Sequence, residues 1–156
     1  MHVKWLAALA LVAGCSGGSP CGPSTGMVDR VIDGDTIVLV TGEKIRYLLM
    51  NAPETTNGHM DCYGQNASQF NSDLVLGKTV DLTYDVVCDD MYGRLLAYVR
   101  VDGTEVNSLM VERGYACVLH IPPDGDSRYD EFKMLEDEAK AANRGLWGAC
   151  NPIPCN

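Results

Sequence analysis

The sequence predicts an α+β domain, five short strands with about three helices inserted between and after them. The strands would form either a small barrel or a two-layer sheet, and propensity alone does not choose. Three observations predict this. Short β-branched and apolar runs are separated by Gly-containing turns. Other segments carry apolar residues at helical spacing. The chain of 156 residues, 46% hydrophobic, suits one core.

Val28, Val31 and Ile32 make the first strand, which runs into Asp33-Gly34-Asp35, a turn signal. Thr36 to Val40 is β-branched and apolar, Thr41-Gly42-Glu43 turns, and Ile45 to Met50 is a third strand. Asn51 to Cys62 holds Pro53 and Gly58 without apolar period, which predicts a loop. Tyr63 to Leu76 reads as a helix with Ala67, Phe70, Leu74 and Val75 on one face and Gly77 as its stop. Thr79 to Val87 alternates, with Val80, Leu82, Tyr84 and Val86 inward. Cys88 to Gly93 connects it to a strand from Arg94 to Val101, and Asp102-Gly103 turns. A short helix covers Asn107 to Arg113. A longer one covers Ser127 to Ala142, with Asp126 or Ser127 as N-cap, Phe132, Leu135 and Ala139 on one face, and Gly145 as terminator.

The N-terminus reads as an export signal over residues 1–14. Lys4 supplies the positive charge, and Trp5 to Ala13 is an aliphatic run too short to span a bilayer. It ends in Leu11-Val12-Ala13-Gly14-Cys15, which resembles a bacterial lipoprotein signal and implies lipid on Cys15. An ordinary signal with an unmodified cysteine is the alternative, disfavoured by the lack of an Ala-x-Ala site. Residues 15–26, rich in Ser, Gly and Pro, are expected to be anchor and tether, 27–150 the folded domain, and 151–156 a tail. The expected location is the cell envelope, membrane-held, the alternative being a soluble periplasmic or secreted protein. Of seven cysteines, lipidation of Cys15 leaves six, enough for three disulfides in an oxidising compartment. None has zinc-site spacing.

The net charge of −9 argues against a broad nucleic-acid-binding surface, because phosphate neutralisation supplies most of such affinity. A local site is another matter. Asp33-Gly34-Asp35-Thr36 sits in a tight turn, Arg46 on a strand, Asn51-Ala52-Pro53-Glu54-Thr55 at its end, and Asp90-Met91-Tyr92-Gly93-Arg94 opens another strand. Phosphodiester hydrolysis needs oxygen ligands for a hard cation, a carboxylate for the attacking water, and fixed cations for the phosphoryl oxygens. Asp35, Glu54, Arg46 and Arg94 supply these parts, arginine's planar fork suiting phosphate.

From Val28 to Trp147 the chain resembles the staphylococcal nuclease (thermonuclease) family. The resemblance rests on Ile32-Asp33-Gly34-Asp35-Thr36, Arg46 with Leu48-Leu49, Ala52-Pro53-Glu54-Thr55, Tyr63-Gly64-Gln65-Asn66-Ala67-Ser68 and Tyr92-Gly93-Arg94-Leu95-Leu96-Ala97-Tyr98. Val106-Asn107, Val111-Glu112-Arg113-Gly114 and Gly145-Leu146-Trp147 extend it, all in family order. It implies a five-stranded OB-type barrel with helices beside it, and calcium-dependent hydrolysis of DNA and RNA; separately, nothing in the sequence suggests an obligate dimer, so a monomer is expected. By position it implies Asp35, Asn51 and the Ala52 carbonyl as metal ligands, Glu54 as the residue that orients or activates water, Arg46 and Arg94 on phosphate, and Tyr92 beside the nucleotide. Asn51 stands where a second carboxylate is usual, so weaker calcium affinity is expected. Met91 replaces a lysine, and His120 and Pro122 replace tyrosines.

Several residues have plainer expectations. Asp33 completes a turn, His120 lies at the surface, and Trp147 anchors the core. Asp124, Asp126, Asp130 and Glu131 make a solvated helix start. Cys62 and Cys88 flank the site, and their pairing is expected. Two other functions compete with the nuclease: a catalytically weak or silent module binding nucleic acid or protein, and a disulfide-rich structural protein of the envelope.

Overall fold

The computed structural model describes residues 20–155. β1 (Thr25–Asp33), β2 (Thr36–Leu39) and β3 (Lys44–Tyr47) form an antiparallel meander. β4 (Met50–Asn51) and α1 (Gly64–Val75) follow, then β5 (Thr79–Asp89) and β6 (Leu95–Val101), also antiparallel. β5 pairs with β1, and β6 returns to β3 in parallel, so five strands close into a mixed barrel. Closure settles the choice that propensity left open, and it removes the free edges of a sheet. A short β7 (Thr104–Glu105) leads into α2 (Val106–Glu112). β8 (Cys117–Val118) pairs with β4, and α3 (Tyr129–Ala141) and α4 (Leu146–Ala149) complete the domain.

The inward residues Ile37, Leu39, Ile45, Tyr47, Val80 and Val99 fill the barrel, while α1 adds Ala67 and Val75, α2 adds Met110 and Val111, and α3 adds Phe132. Two fully buried amides lace these layers together. Asn107 on α2 donates to the carbonyls of Leu48 (3.0 Å) and Ala97 (3.2 Å) and accepts from the Val99 N–H (2.8 Å), stitching the parallel seam. Asn71 on α1 accepts from the Tyr47 hydroxyl and donates to the Asp33 carbonyl, both at 2.9 Å.

Several expectations are corrected. The third strand does not run unbroken to Met50. Leu49 has φ 60°, and beyond it the chain leaves β6 to pair with β8. Val86 is exposed rather than inward, because β5 shifts register beyond Tyr84. There the buried Asp124 accepts the N–H groups of Val86 (2.9 Å) and Val87 (2.8 Å), so Asp124 is no solvated helix start. Neither Asp126 nor Ser127 caps α3, whose N-cap position is Arg128. Asp126 instead bonds His120, which also stacks on Tyr129. Trp147 lies in a satellite cluster with Leu146, Cys117 and Cys150 rather than in the main core.

The bridges are Cys21–Cys88, Cys62–Cys150 and Cys117–Cys155. The expected Cys62–Cys88 pair does not form, because Cys62 faces the end of α4 and the end of β5 faces the segment before β1. That segment, read from composition as tether, is fastened at Cys21 and continues as β1 from Thr25. Cys15 and the signal-like segment lie outside the described residues.

Candidate active site

The tight β1–β2 turn aims Asp35 into a cleft of ≈ 520 Å³. Glycine is required within it, since a Cβ on Gly34 would come 2.5 Å from the Ala52 Cβ and 2.9 Å from that of Ala67. The turn is thereby pressed against both β4's exit and α1. Asp35 Oδ1 accepts from the Thr36 hydroxyl (2.8 Å), and Oδ2 accepts from the Ala52 N–H (2.9 Å) and lies 3.2 Å from Arg46 Nη2.

The parallel β3–β6 seam is what brings the two arginines together. Arg46 registers with Leu96, and Arg94 immediately precedes Leu95. Arg46 is buried and fixed from several sides. Its Nη1 donates to the carbonyls of Tyr47 (2.6 Å) and Met50 (2.9 Å), and its Nη2 donates to Asn51 Oδ1 (2.9 Å). Arg94 is held by Asp90, at 2.8 Å from Nε and 2.7 Å from Nη2. Asp90 also accepts the N–H groups of Tyr92 and Arg94. Burial alone would raise the Asp90 pKa, but its bonds to Arg94 outweigh that and hold it below the usual range. Tyr92 is largely exposed, its ring 5.4 Å from the Arg94 guanidinium carbon.

Glu54 lies in the loop after β4. Its Oε1 accepts from the Thr55 N–H (2.9 Å), the Thr56 N–H (2.7 Å) and the Thr56 hydroxyl. The hydroxyl bond leads in holding its pKa below the ordinary glutamate value. Among the described residues Oε2 takes no bond, so one oxygen of a well-anchored carboxylate is left for the cleft.

The cleft is lined by Asp33, Asp35, Arg46, Asn51, Ala52, Glu54, Asp61 and Arg94, with Leu119 and Pro154 at its rim. Every residue that the sequence placed in the catalytic and metal sets therefore meets here, and Tyr92 stands beside Arg94. Sequence reasoning missed Asp61, Asp90 and Pro154. Pro154 arrives only because Cys155 bridges to Cys117, and no local pattern announces it. Beside this cleft lies an apolar one of ≈ 300 Å³ that shares both arginines and is lined by Leu48, Val87, Leu119, Ile121 and Pro122 among others.

The donors are all oxygens, which suits a hard cation. The electrostatics agree. Burial, then repulsion from Asp35, pushes the Asp33 pKa up to about 7, with Glu54 adding to it. The rise comes first from burial and only second from the neighbouring carboxylates. Among the described residues no three His, Cys, Asp or Glu side chains converge on one point. A cation there would rely on amide and carbonyl oxygen and water beside Asp35.

Barrel, helices and cleft define a class: OB-type proteins whose site pairs arginines with an acidic oxygen cluster. The family model described as staphylococcal nuclease homologue matches residues 44–149, and the chain belongs to that family. It is 40% identical over 126 residues to the endonuclease YncB of Bacillus subtilis (strain 168), covering 77% of this chain and 60% of that protein. It is 35% identical over 144 residues to an uncharacterized endonuclease of Escherichia coli O157:H7, covering 86% and 84%. It is 34% identical over 119 residues to the thermonuclease of Staphylococcus intermedius, covering 73% and 68%. The chain thus spans about 60% of the length of the Bacillus relative.

Proposed function

We propose that this protein is a calcium-dependent nuclease that hydrolyses phosphodiester bonds of DNA, and also RNA, outside the cytoplasm as a monomer held to a membrane by lipid on Cys15. One observation carries the reading. Asp35, Asn51, Ala52, Glu54, Arg46 and Arg94 line a single cleft although they are dispersed over a long stretch of chain. The names of the relatives, two endonucleases and a thermonuclease, support it. The export signal and lipidation rest on the N-terminal sequence. No helix among the described residues is long and apolar enough to cross a membrane.

In this reading Asp35, Asn51 and the Ala52 carbonyl would hold calcium, and the ion when bound would supply Lewis-acid polarisation of the phosphoryl group. Arg46 and Arg94 hold the phosphate oxygens and stabilise the charge that grows on them as the fifth bond to phosphorus forms. Glu54, ionised, takes the proton of the water that attacks in line, while the P–O bond opposite the attack breaks and the departing ester oxygen takes a proton from solvent. Arg46 and Arg94 are already oriented by Met50, Asn51 and Asp90, so little reorganisation precedes the step. The apolar cleft beside them offers a surface for a base.

The test is cleavage of single-stranded DNA by the full chain, with calcium or excess chelator, beside Glu54→Gln and Asn51→Asp. The expected result is calcium-dependent cleavage that falls at least about 100-fold in Glu54→Gln, and tighter calcium half-saturation in Asn51→Asp. A folded protein that cleaves nothing at high calcium and low salt would instead be a binding module.

A further inference from the structure

Glu54 lies within an irregular segment of twelve residues, 52–63, since β4 stops at Asn51 and α1 starts at Gly64. Its bonds to Thr55 and Thr56 are local. They turn the carboxylate relative to its own backbone but do not fix that backbone to the barrel. The fixing comes from elsewhere. Asp61 Oδ2 accepts the Glu54 N–H at 3.0 Å, and the Asp61 N–H donates back to the Glu54 carbonyl at 3.0 Å. The pair closes the intervening loop into a ring. The Asp61 carbonyl then accepts the Gly64 N–H at 3.0 Å, which joins the ring to the first turn of α1. Packing seals the joint, since a Cβ on Gly64 would come 2.9 Å from the Glu54 carbonyl oxygen and 2.7 Å from Thr55 Cγ2. The next residue, Cys62, bridges to Cys150 at the end of α4.

We infer that Asp61, backed by the Cys62–Cys150 bridge, is the positioning residue for Glu54: it sets where the water-activating carboxylate stands in the cleft while acting on substrate only through it. The inference rests on the nuclease reading. Displacement of a catalytic group by about 1 Å can cost on the order of 100-fold in rate, and a ring released at Asp61 has that freedom. Asp61 is exposed, so replacing it leaves the core untouched.

The experiment compares Asp61→Ala and Asp61→Asn in the full chain, measuring kcat and KM on single-stranded DNA, calcium half-saturation, and hydrogen exchange at the Glu54 amide. In Asp61→Ala, kcat is expected to fall about 10- to 100-fold with KM within about twofold, and the Glu54 amide to lose protection. Asp61→Asn keeps an acceptor oxygen and should restore kcat to within about threefold of wild type with unchanged calcium half-saturation. Cys62→Ser with Cys150→Ser should act in the same direction, and less than additively with Asp61→Ala, because both release one loop. Unchanged kcat in Asp61→Ala would overturn the inference. So would an Asp61→Asn variant as poor as Asp61→Ala with weakened calcium use, since Asp61 would then act by charge. If wild type cleaves nothing, the nuclease reading falls, and Glu54 amide exchange alone decides whether Asp61 holds that loop.

Discussion

Glu54 gathers three hydrogen bonds on one oxygen, and the largest influence on its acidity is the Thr56 hydroxyl. The sign follows directly. Bonds to the ionised form lower the pKa, so the carboxylate stays ionised as pH falls below the ordinary glutamate value, and the stability it contributes is lost only as pH falls through that lowered pKa. Thr56→Val keeps the shape and removes the hydroxyl. The acid limb of kcat against pH is therefore expected to move to higher pH in Thr56→Val, read between about pH 4 and 7. A limb that does not move would assign it to another group, and Asp33 at about 7 would be the first to consider. At this scale Asp35, Arg46, Glu54 and Arg94 were legible in the sequence because their types, order and flanking residues make a recognisable series. Asp61 and Asp90 were not. A loop aspartate reads as solvated until the backbone N–H groups it accepts are known, and those are set by loop geometry.

The parallel β3–β6 seam closes the barrel and aligns the arginines, and Asn107 is its polar fastening. Replacing Asn107 by Leu leaves the Val99 N–H and the Leu48 carbonyl without their buried partner. Ala97 keeps its bond from the Leu48 N–H. Two unsatisfied buried groups cost about 2–6 kcal/mol in total, measurable as a lowered urea midpoint with little change in slope. A loss under about 1 kcal/mol would show that the seam relaxes to pair them. The five barrel strands and three main helices were legible from period and turn residues. The break at Leu49 and the outward turn of Val86 were not, because β8 and Asp124 impose them from distant sequence, 38 residues away in the case of Val86. Asn71 escaped notice for a related reason, since a polar residue on a helix's apolar face looks like an interruption until its partners Tyr47 and Asp33 are in place.

The molecule as a whole carries −9 of charge around a cleft that, on the proposed nuclease reading, would receive a polyanion. Long-range repulsion is screened before short contacts inside the cleft are, as the Debye length shrinks from about 30 Å at 0.01 M salt to about 10 Å at 0.1 M. With calcium saturating, kcat/KM on DNA is therefore expected to rise over that range. A steady fall, the ordinary behaviour of a basic DNA-binding surface, would refute this. The charge was plain in the sequence, but the disulfide pattern was not, since six cysteines fix no connectivity by spacing. Two of its bridges have a consequence for how the protein comes into being. Asp35, Glu54 and Arg94 leave the ribosome before Cys150 and Cys155, which fasten the Glu54 loop and bring Pro154 to the cleft rim. A ribosome adds roughly 5–20 residues each second, so for several seconds these groups exist without those two bridges. Those fastenings then wait for an oxidant. The synthesis of the cleft's groups and their fastening are thus separate events in time.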